Sequence, residues 1–198
     1  GANLQRAYLT NAKLISADLS GANLAGAVLA KSDLTKANLQ QTNFRSKIGL
    51  TTILNYSNLT EADLDWANLH HSNLEETNLM FAHLTGSNLA HSILTSANLF
   101  NAVLSEANLS FANLSYADLS FANVYGANLF SANLTDANLT GMENWDQAFW
   151  MGATYNPNTT FPVGMNPELD CFGMIFVPAP SALALISIAG FTTRRRRS

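Results

Sequence analysis

The sequence is short of charge. Only 12% of its 198 residues are Asp, Glu, Lys or Arg, about half the roughly 25% usual for globular domains. With 47% hydrophobic residues, a solvated disordered chain is excluded. A single cysteine, Cys171, excludes an internal disulfide and a cysteine-built zinc module. Between Ile48 and Thr193 there is no Lys or Arg at all. Residues 1–60 carry six basic and two acidic side chains, residues 61–193 twelve acidic ones, and four arginines lie at the C-terminal end. A net charge of −4 argues against nucleic-acid recognition through a wholly basic surface, because neutralising phosphate needs a local surplus of Lys and Arg. No phosphate cradle and no Ser, His and Asp set emerges from the spacings. No enzyme activity, cofactor or metal is therefore expected.

What the sequence has instead is a repeat of period five. Ala2-Asn3-Leu4, Ala17-Asp18-Leu19, Ala22-Asn23-Leu24, Ala107-Asn108-Leu109 and Ala137-Asn138-Leu139 share one frame. Stepping by five from Leu4 to Leu139 gives 28 units over residues 2–141, 25 of them centred on Leu; Phe44, Gly49 and Val124 are the exceptions. Two places before the centre stands Ala, Ser or Thr in every unit but that of Lys47, and one place before it Asn 16 times and Asp four times. The other two positions vary freely, as solvent-facing positions do.

In an α-helix, five residues rotate each leucine by about 140° from the last and leave no apolar stripe. In a straight strand the odd period puts successive leucines on opposite faces. A chain that turns a corner once per unit points Leu and the small residue inward on every side. Asn and Asp suit such corners, since their side chains bond nearby backbone and tolerate left-handed conformations. The pattern of small residue, Asn or Asp, Leu and two variable residues resembles that of the pentapeptide-repeat proteins. The resemblance implies an all-β fold, a right-handed quadrilateral β-helix with four units, about 20 residues, per coil. At about 4.8 Å per coil, about seven coils make a rod of roughly 34 Å. In keeping with stacking every 20 residues, Tyr8, Val28 and Ile48 replace Asn or Asp at that interval, and Ile53 and Ile93 at twice it. The unit Lys47-Ile48-Gly49-Leu50-Thr51 breaks the pattern and is expected to form a local bulge or kink in one side, or equally a place where a partner docks.

The open end of such a stack is apolar and needs a cap. Residues 142–151 leave the repeat and bring Trp145, Ala148 and Phe149 to helical spacing, which predicts a short capping helix; the same aromatics serve alternatively as a ligand site. The expected organisation is a β-helix over 1–141, a cap and linker over 142–175 and a tail over 176–198. The chain starts mid-pattern at Gly1 without a methionine, so a fragment or processed product is expected, with any export signal upstream.

In the tail, Val177, Pro178 and Pro180 lead into residues 181–193, which hold no charge, and then Arg194, Arg195, Arg196 and Arg197. Thirteen residues of helix span about 20 Å, short of a hydrocarbon core of roughly 30 Å. The arginines favour the cytoplasmic side and turn the repeat body outward. A proline motif, a short apolar segment and a basic cluster in this order resemble the PEP-CTERM sorting signal of bacterial surface proteins, although Ala179 stands where that motif has Glu. The resemblance implies an exosortase-type processing enzyme and the membrane as partners, with the body released or attached at the cell envelope or in extracellular polymer. A plain basic tail is the alternative.

Some pentapeptide-repeat proteins are similar to DNA in shape and charge and protect topoisomerases. Here Glu61, Asp63, Asp65, Glu75 and Glu76 cluster, with Glu106 and Asp136 beyond, sparse against a duplex with one charge per ~1.7 Å. Exposed aromatics, foremost Trp66, Phe81, Phe111, Tyr116 and Phe121, suit a protein or polysaccharide partner better than phosphate mimicry. If coils hold 20 residues, His71 and His91 stack. Three readings follow: an exported, non-enzymatic envelope or matrix rod; a cytoplasmic DNA-mimic binder of gyrase; and an enzyme built on the 142–170 cap, for which no catalytic set is evident. No direct nucleic-acid binding is expected.

Overall fold

The computed structural model describes residues 1–45, 51–168 and 173–178. It is a four-sided parallel coil whose sides are single bridging residues. The first side carries Asn3, Asn23, Asn43, Asn68, Asn88, Asn108, Asn128 and Phe149, each bridged to the next. The second begins at Tyr8, the third at Lys13 and the fourth at Asp18. Inside, the central Leu and the small residue two places before it are buried from Leu24 to Leu139. The four leucines of the first coil, Leu4, Leu9, Leu14 and Leu19, are only partly buried. They lack a coil beneath them.

The unit from Ala107 to Phe111 shows why five residues close. The Ala107 N–H donates to Leu104 O at 3.0 Å, which forms the turn. Asn108 N donates to Ser87 O in the coil below at 2.9 Å, and Leu109 N to Asn128 O in the coil above at 2.8 Å. Phe111 N also reaches the coil above, at Phe130 O, 2.8 Å away. The remaining donor, Ser110 N, goes to the side chain of Asn108 at 3.1 Å. All five N–H groups are thereby satisfied, and an orphan would cost about 1–3 kcal/mol. The asparagine supplies the one acceptor that the backbone cannot.

The left-handed residue is not that asparagine. Asn and Asp occupy the extended bridging position, and the fifth residue of each unit takes φ between 51° and 61° where it is not glycine, as in Trp66, Phe111 and Tyr116. A positive φ at the second central residue is what a type II turn requires. For an aromatic it costs about 1–2 kcal/mol, and its N–H bond to the coil above offsets that cost.

The register of the ladder steps once along the rod. Residues 46–50 lie outside the described residues, but the bridges on either side step by 25 rather than 20: Val28 pairs with Ile53, Asp33 with Asn58, Asn38 with Asp63 and Asn43 with Asn68. The expected bulge or kink falls on that segment, and the ladder passes over one unit's length of chain there. Thr52 closes the gap. Its hydroxyl donates to Phe44 O at 2.6 Å and accepts from Gly26 N at 2.9 Å, two backbone groups that an uninterrupted coil would have bonded to main chain.

The C-terminal cap differs as well. In place of a capping helix, residues 142–151 form one 3-10 turn, Trp145–Gln147, and the chain runs on as an irregular further coil. Glu143, Phe149, Thr154 and Thr160 bridge to Asn123, Asn128, Asn133 and Asn138. The pull of the ladder's unpaired groups outweighs three apolar residues at helical spacing. Buried Trp150 and Tyr155 stand where the repeat would place Leu, filling the open end with larger rings. Two strands, β1 (Thr154–Tyr155) and β2 (Ile175–Phe176), pair in parallel above this coil. No helix among the described residues is long and apolar enough to cross a membrane.

Thr52→Val keeps the shape of the side chain and removes both hydrogen bonds. Its expected cost is about 1–3 kcal/mol in denaturant unfolding, against less than about 1 kcal/mol for Thr10→Val at an exposed position.

Candidate functional site

Every outward side chain lies in a column along the rod, because each coil repeats the corner of the coil below. The aromatic candidates fall into different columns: Phe111 lies on the corner after the first side, Tyr116 after the second, Phe81 and Phe121 after the third, and Trp66 after the fourth. All five are exposed, Tyr116 to 63% and Trp66 to 58%. They do not make one flank. Val177 and Pro178 end the described chain, with Val177 N held by Tyr155 O at 2.7 Å; Pro180 and Arg194 to Arg197 lie outside the described residues.

Two columns are continuous. On the third corner, Phe81, Phe100 and Phe121 touch edge to face, with centroids 5.7 Å apart at both steps. On the first, His70 lies 4.2 Å from His71, and His91 lies 4.8 Å from His71 and 5.4 Å from His70. His91 stacks in turn on Phe111 at 4.8 Å and 7°, and Phe130 and Phe149 extend the row. The spacing of 20 already implied the His71–His91 contact. His70 was not legible, because it occupies the fourth rather than the fifth place of its unit.

Isolated aromatics find other supports. The indole of Trp66 lies across Gly86, where an added Cβ would come within 2.4 Å of the ring. Between Trp66 and Gly86 the repeat keeps one further bond: His83 replaces the turn asparagine, and the Thr85 N–H turns to Asp65 Oδ1 in the coil below at 2.7 Å. An open groove of about 450 Å³ runs beside Glu61, Phe81 and His83. Glu61 also pairs with Lys36 at 3.2 Å, both ends half exposed. No group of three or more His, Cys, Asp or Glu among the described residues is arranged to hold a metal ion.

Titration follows from these contacts. Burial holds the His70 imidazole below its ordinary value, helped by the nearby charges of His71, His91 and Arg45. Its Nδ1 is buried without a partner. Hydrogen bonds from Ser20 and Thr35 hold Asp18 and Asp33 below the usual carboxylate value, and the Asn158 side chain does the same for Asp136.

Comparison with known proteins agrees with the coil geometry. The family model for pentapeptide repeats, in 8 copies, matches residues 2–41, 57–95, 92–129 and 107–141. Its first gap brackets the unit left out of the ladder. HetL, a pentapeptide repeat protein involved in heterocyst differentiation regulation from the cyanobacterium Nostoc sp. strain PCC 7120, is 32% identical over 82% of this chain and 76% of its own, with a TM-score of 0.33. QnrB1, a plasmid-mediated fluoroquinolone resistance protein, is 16% identical over 98% of this chain and 97% of its own, with a TM-score of 0.46. A pentapeptide repeat protein from the Arabidopsis thaliana thylakoid lumen is 26% identical over 61% and 66%, with a TM-score of 0.35. No curated protein matches the chain.

Two predictions follow from the columns. Because the folded His70 takes up its proton less readily than the unfolded chain does, its contribution to stability is complete above the unfolded value near 6.5 and is lost as pH falls below it. The three aspartates act in the same sense below 3.8. Melting temperature should therefore decline on acidification in two stages, and His70→Gln should remove the first while leaving the second. Gly86→Ala strains a backbone at φ 63°, at a cost of about 1–2 kcal/mol, and displaces the Trp66 ring. Its emission should shift to longer wavelength, a shift that is absent in a Trp66→Phe background.

Proposed function

The chain belongs to the pentapeptide-repeat family, and from that premise we propose that it is a non-enzymatic rod, exported to the bacterial cell envelope or extracellular matrix, that presents its columns to a polymer or protein partner. In this reading a right-handed stack of about seven coils, closed by the irregular coil above Leu139, is the body. Residues 176–198 serve as a PEP-CTERM-like sorting signal read by an exosortase-type enzyme. The observation that carries it is the order of Val177, Pro178 and Pro180, an uncharged segment and four arginines. The position of the proline motif supports it. Val177 makes a backbone bond to the cap through Tyr155, so cleavage after Pro178 leaves the cap intact. Loss of the tail removes four positive charges and takes the chain from −4 to −8, which favours a dispersed, acidic rod.

A cytoplasmic gyrase binder that imitates DNA is the second reading. The fourth side favours it, with Asp18, Asp63, Asp65, Glu106 and Glu143 and no Lys or Arg. Against it, those five carboxylates are spread over the whole length of the rod, far from the density of a duplex.

The test is fractionation of cells that express the full-length gene product, with mass spectrometry of its C-terminus. The expected product lies in the envelope or medium and ends near Pro178 or Pro180, and replacing Arg194 to Arg197 by alanine prevents that processing. Recovery from cytosol with the arginines intact would overturn the reading, and inhibition of purified gyrase supercoiling by that product would establish the second.

A further inference from the structure

The first side and its corner differ from the rest of the rod in charge. No Asp or Glu stands at any outward position there from Asn3 to Ser131, whereas each other side or its corner carries carboxylates. Arg45 and the three stacked histidines occupy adjacent coils of this corner, and Phe111 continues the row. The bridging position beside them is Asn in every coil from Asn3 to Asn128. Each of these carboxamides spends its oxygen on its own turn, as Asn43 does with Arg45 N at 3.0 Å and Asn68 with His70 N at 3.3 Å. Two of the amide groups also donate to the coil below, Asn43 to Asn23 Oδ1 and Asn128 to Asn108 Oδ1, both at 3.4 Å. A row of carboxamides, two or more cationic groups and no carboxylate, on a rod whose other sides all carry carboxylates, is complementary to an anion bearing many hydroxyl or carboxylate oxygens.

We propose that this side is the binding strip for an acidic polysaccharide and that protonation of His71 and His91 sets its affinity. This rests on the reading of the rod as an envelope or matrix binding surface and names the partner of that surface. A protonated imidazole donates a charge-assisted hydrogen bond to a uronate carboxylate, and the phenyl ring of Phe111 offers apolar area to the C–H face of a sugar. Nucleic acid fits less well. One phosphate per about 1.7 Å of duplex outnumbers the cations available at one coil per about 4.8 Å.

The charged groups around the histidines favour an acid-gated response. The coil below contributes Arg45, the same coil His70 and His71, and the coil above His91. The nearest carboxylates along the chain, Asp65, Glu75 and Glu76, stand on the neighbouring corners. Without an anion, two imidazolium rings 4.8 Å apart repel one another. With a carboxylate between them both are stabilised, so binding takes up protons.

The test is isothermal titration calorimetry of the full chain with alginate, a polyuronate, at about pH 5.5 and about pH 7.5, with a neutral glucan as the control. The expected result is affinity for alginate about tenfold higher at the lower pH, with proton uptake visible as a dependence on buffer ionisation heat. The variant His71→Gln with His91→Gln should keep its circular dichroism and lose that gain, while His83→Gln, on the fourth side, keeps it. Equal affinity at both pH values, a pH response that survives the double substitution, equal binding of the neutral glucan, or tighter binding of DNA than of alginate would each overturn the inference. A protein that fractionates to the envelope and ignores alginate overturns this inference and leaves the rod reading standing.

Discussion

The structure depends on a hydrogen bond, recurring in most units, that the backbone cannot make for itself. Parallel stacking of coils satisfies the N–H groups of the bridging residue, the leucine and the fifth residue, and the turn satisfies that of the small residue. The fourth residue's N–H is left over. An Asn or Asp two places earlier supplies the acceptor, as Asn108 does for Ser110, and most units carry that residue for this reason. Buried leucines supply the larger share of stabilisation, about 1.5–3 kcal/mol for each side chain removed from water. They would do so equally well in other arrangements. The polar bond selects this one.

A lattice satisfied in this way leaves function only two kinds of place. Outward positions are free of packing constraints and form columns, so a residue gains meaning from what stands 20 residues away. His71 and His91 become a pair, and Phe81 and Phe121 are joined through Phe100. The other kind of place is a fault in the lattice. The ladder passes over one unit's length of chain between Arg45 and Thr51, and the Thr52 hydroxyl bonds Phe44 O and Gly26 N beside that step. A small residue with a hydroxyl at that position is a repair, not a relaxed form of Ala.

The architecture was legible in the residues because the period of five admits neither helix nor straight strand, and three of its five positions are narrowly specified. Three features were not. The left-handed turn residue was assigned to Asn, whose local hydrogen bonding suits either role, but the ladder needs Asn extended and leaves the strain to residues such as Trp66. The change of register keeps the period of five intact, so nothing in the spacing reveals it; only the step of 25 between Val28 and Ile53 does. At the cap, the spacing of Trp145, Ala148 and Phe149 reads as helix locally, while the unpaired edge beneath draws Phe149 into a bridge with Asn128. The aromatic candidates were recognisable as outward-facing. Their separation onto four corners required the register.

The fold stands or falls on register, and deletions of five and of four residues test it directly. Removing residues 46–50 should restore a step of 20 and place Thr51 at the corner, giving a folded protein at least as stable as the parent in thermal unfolding. Removing residues 96–99, four residues within the ladder, should take every later leucine out of its inward position and abolish cooperative unfolding. Equal tolerance of the two deletions, or greater harm from the first, would contradict a fold held by coil-to-coil register.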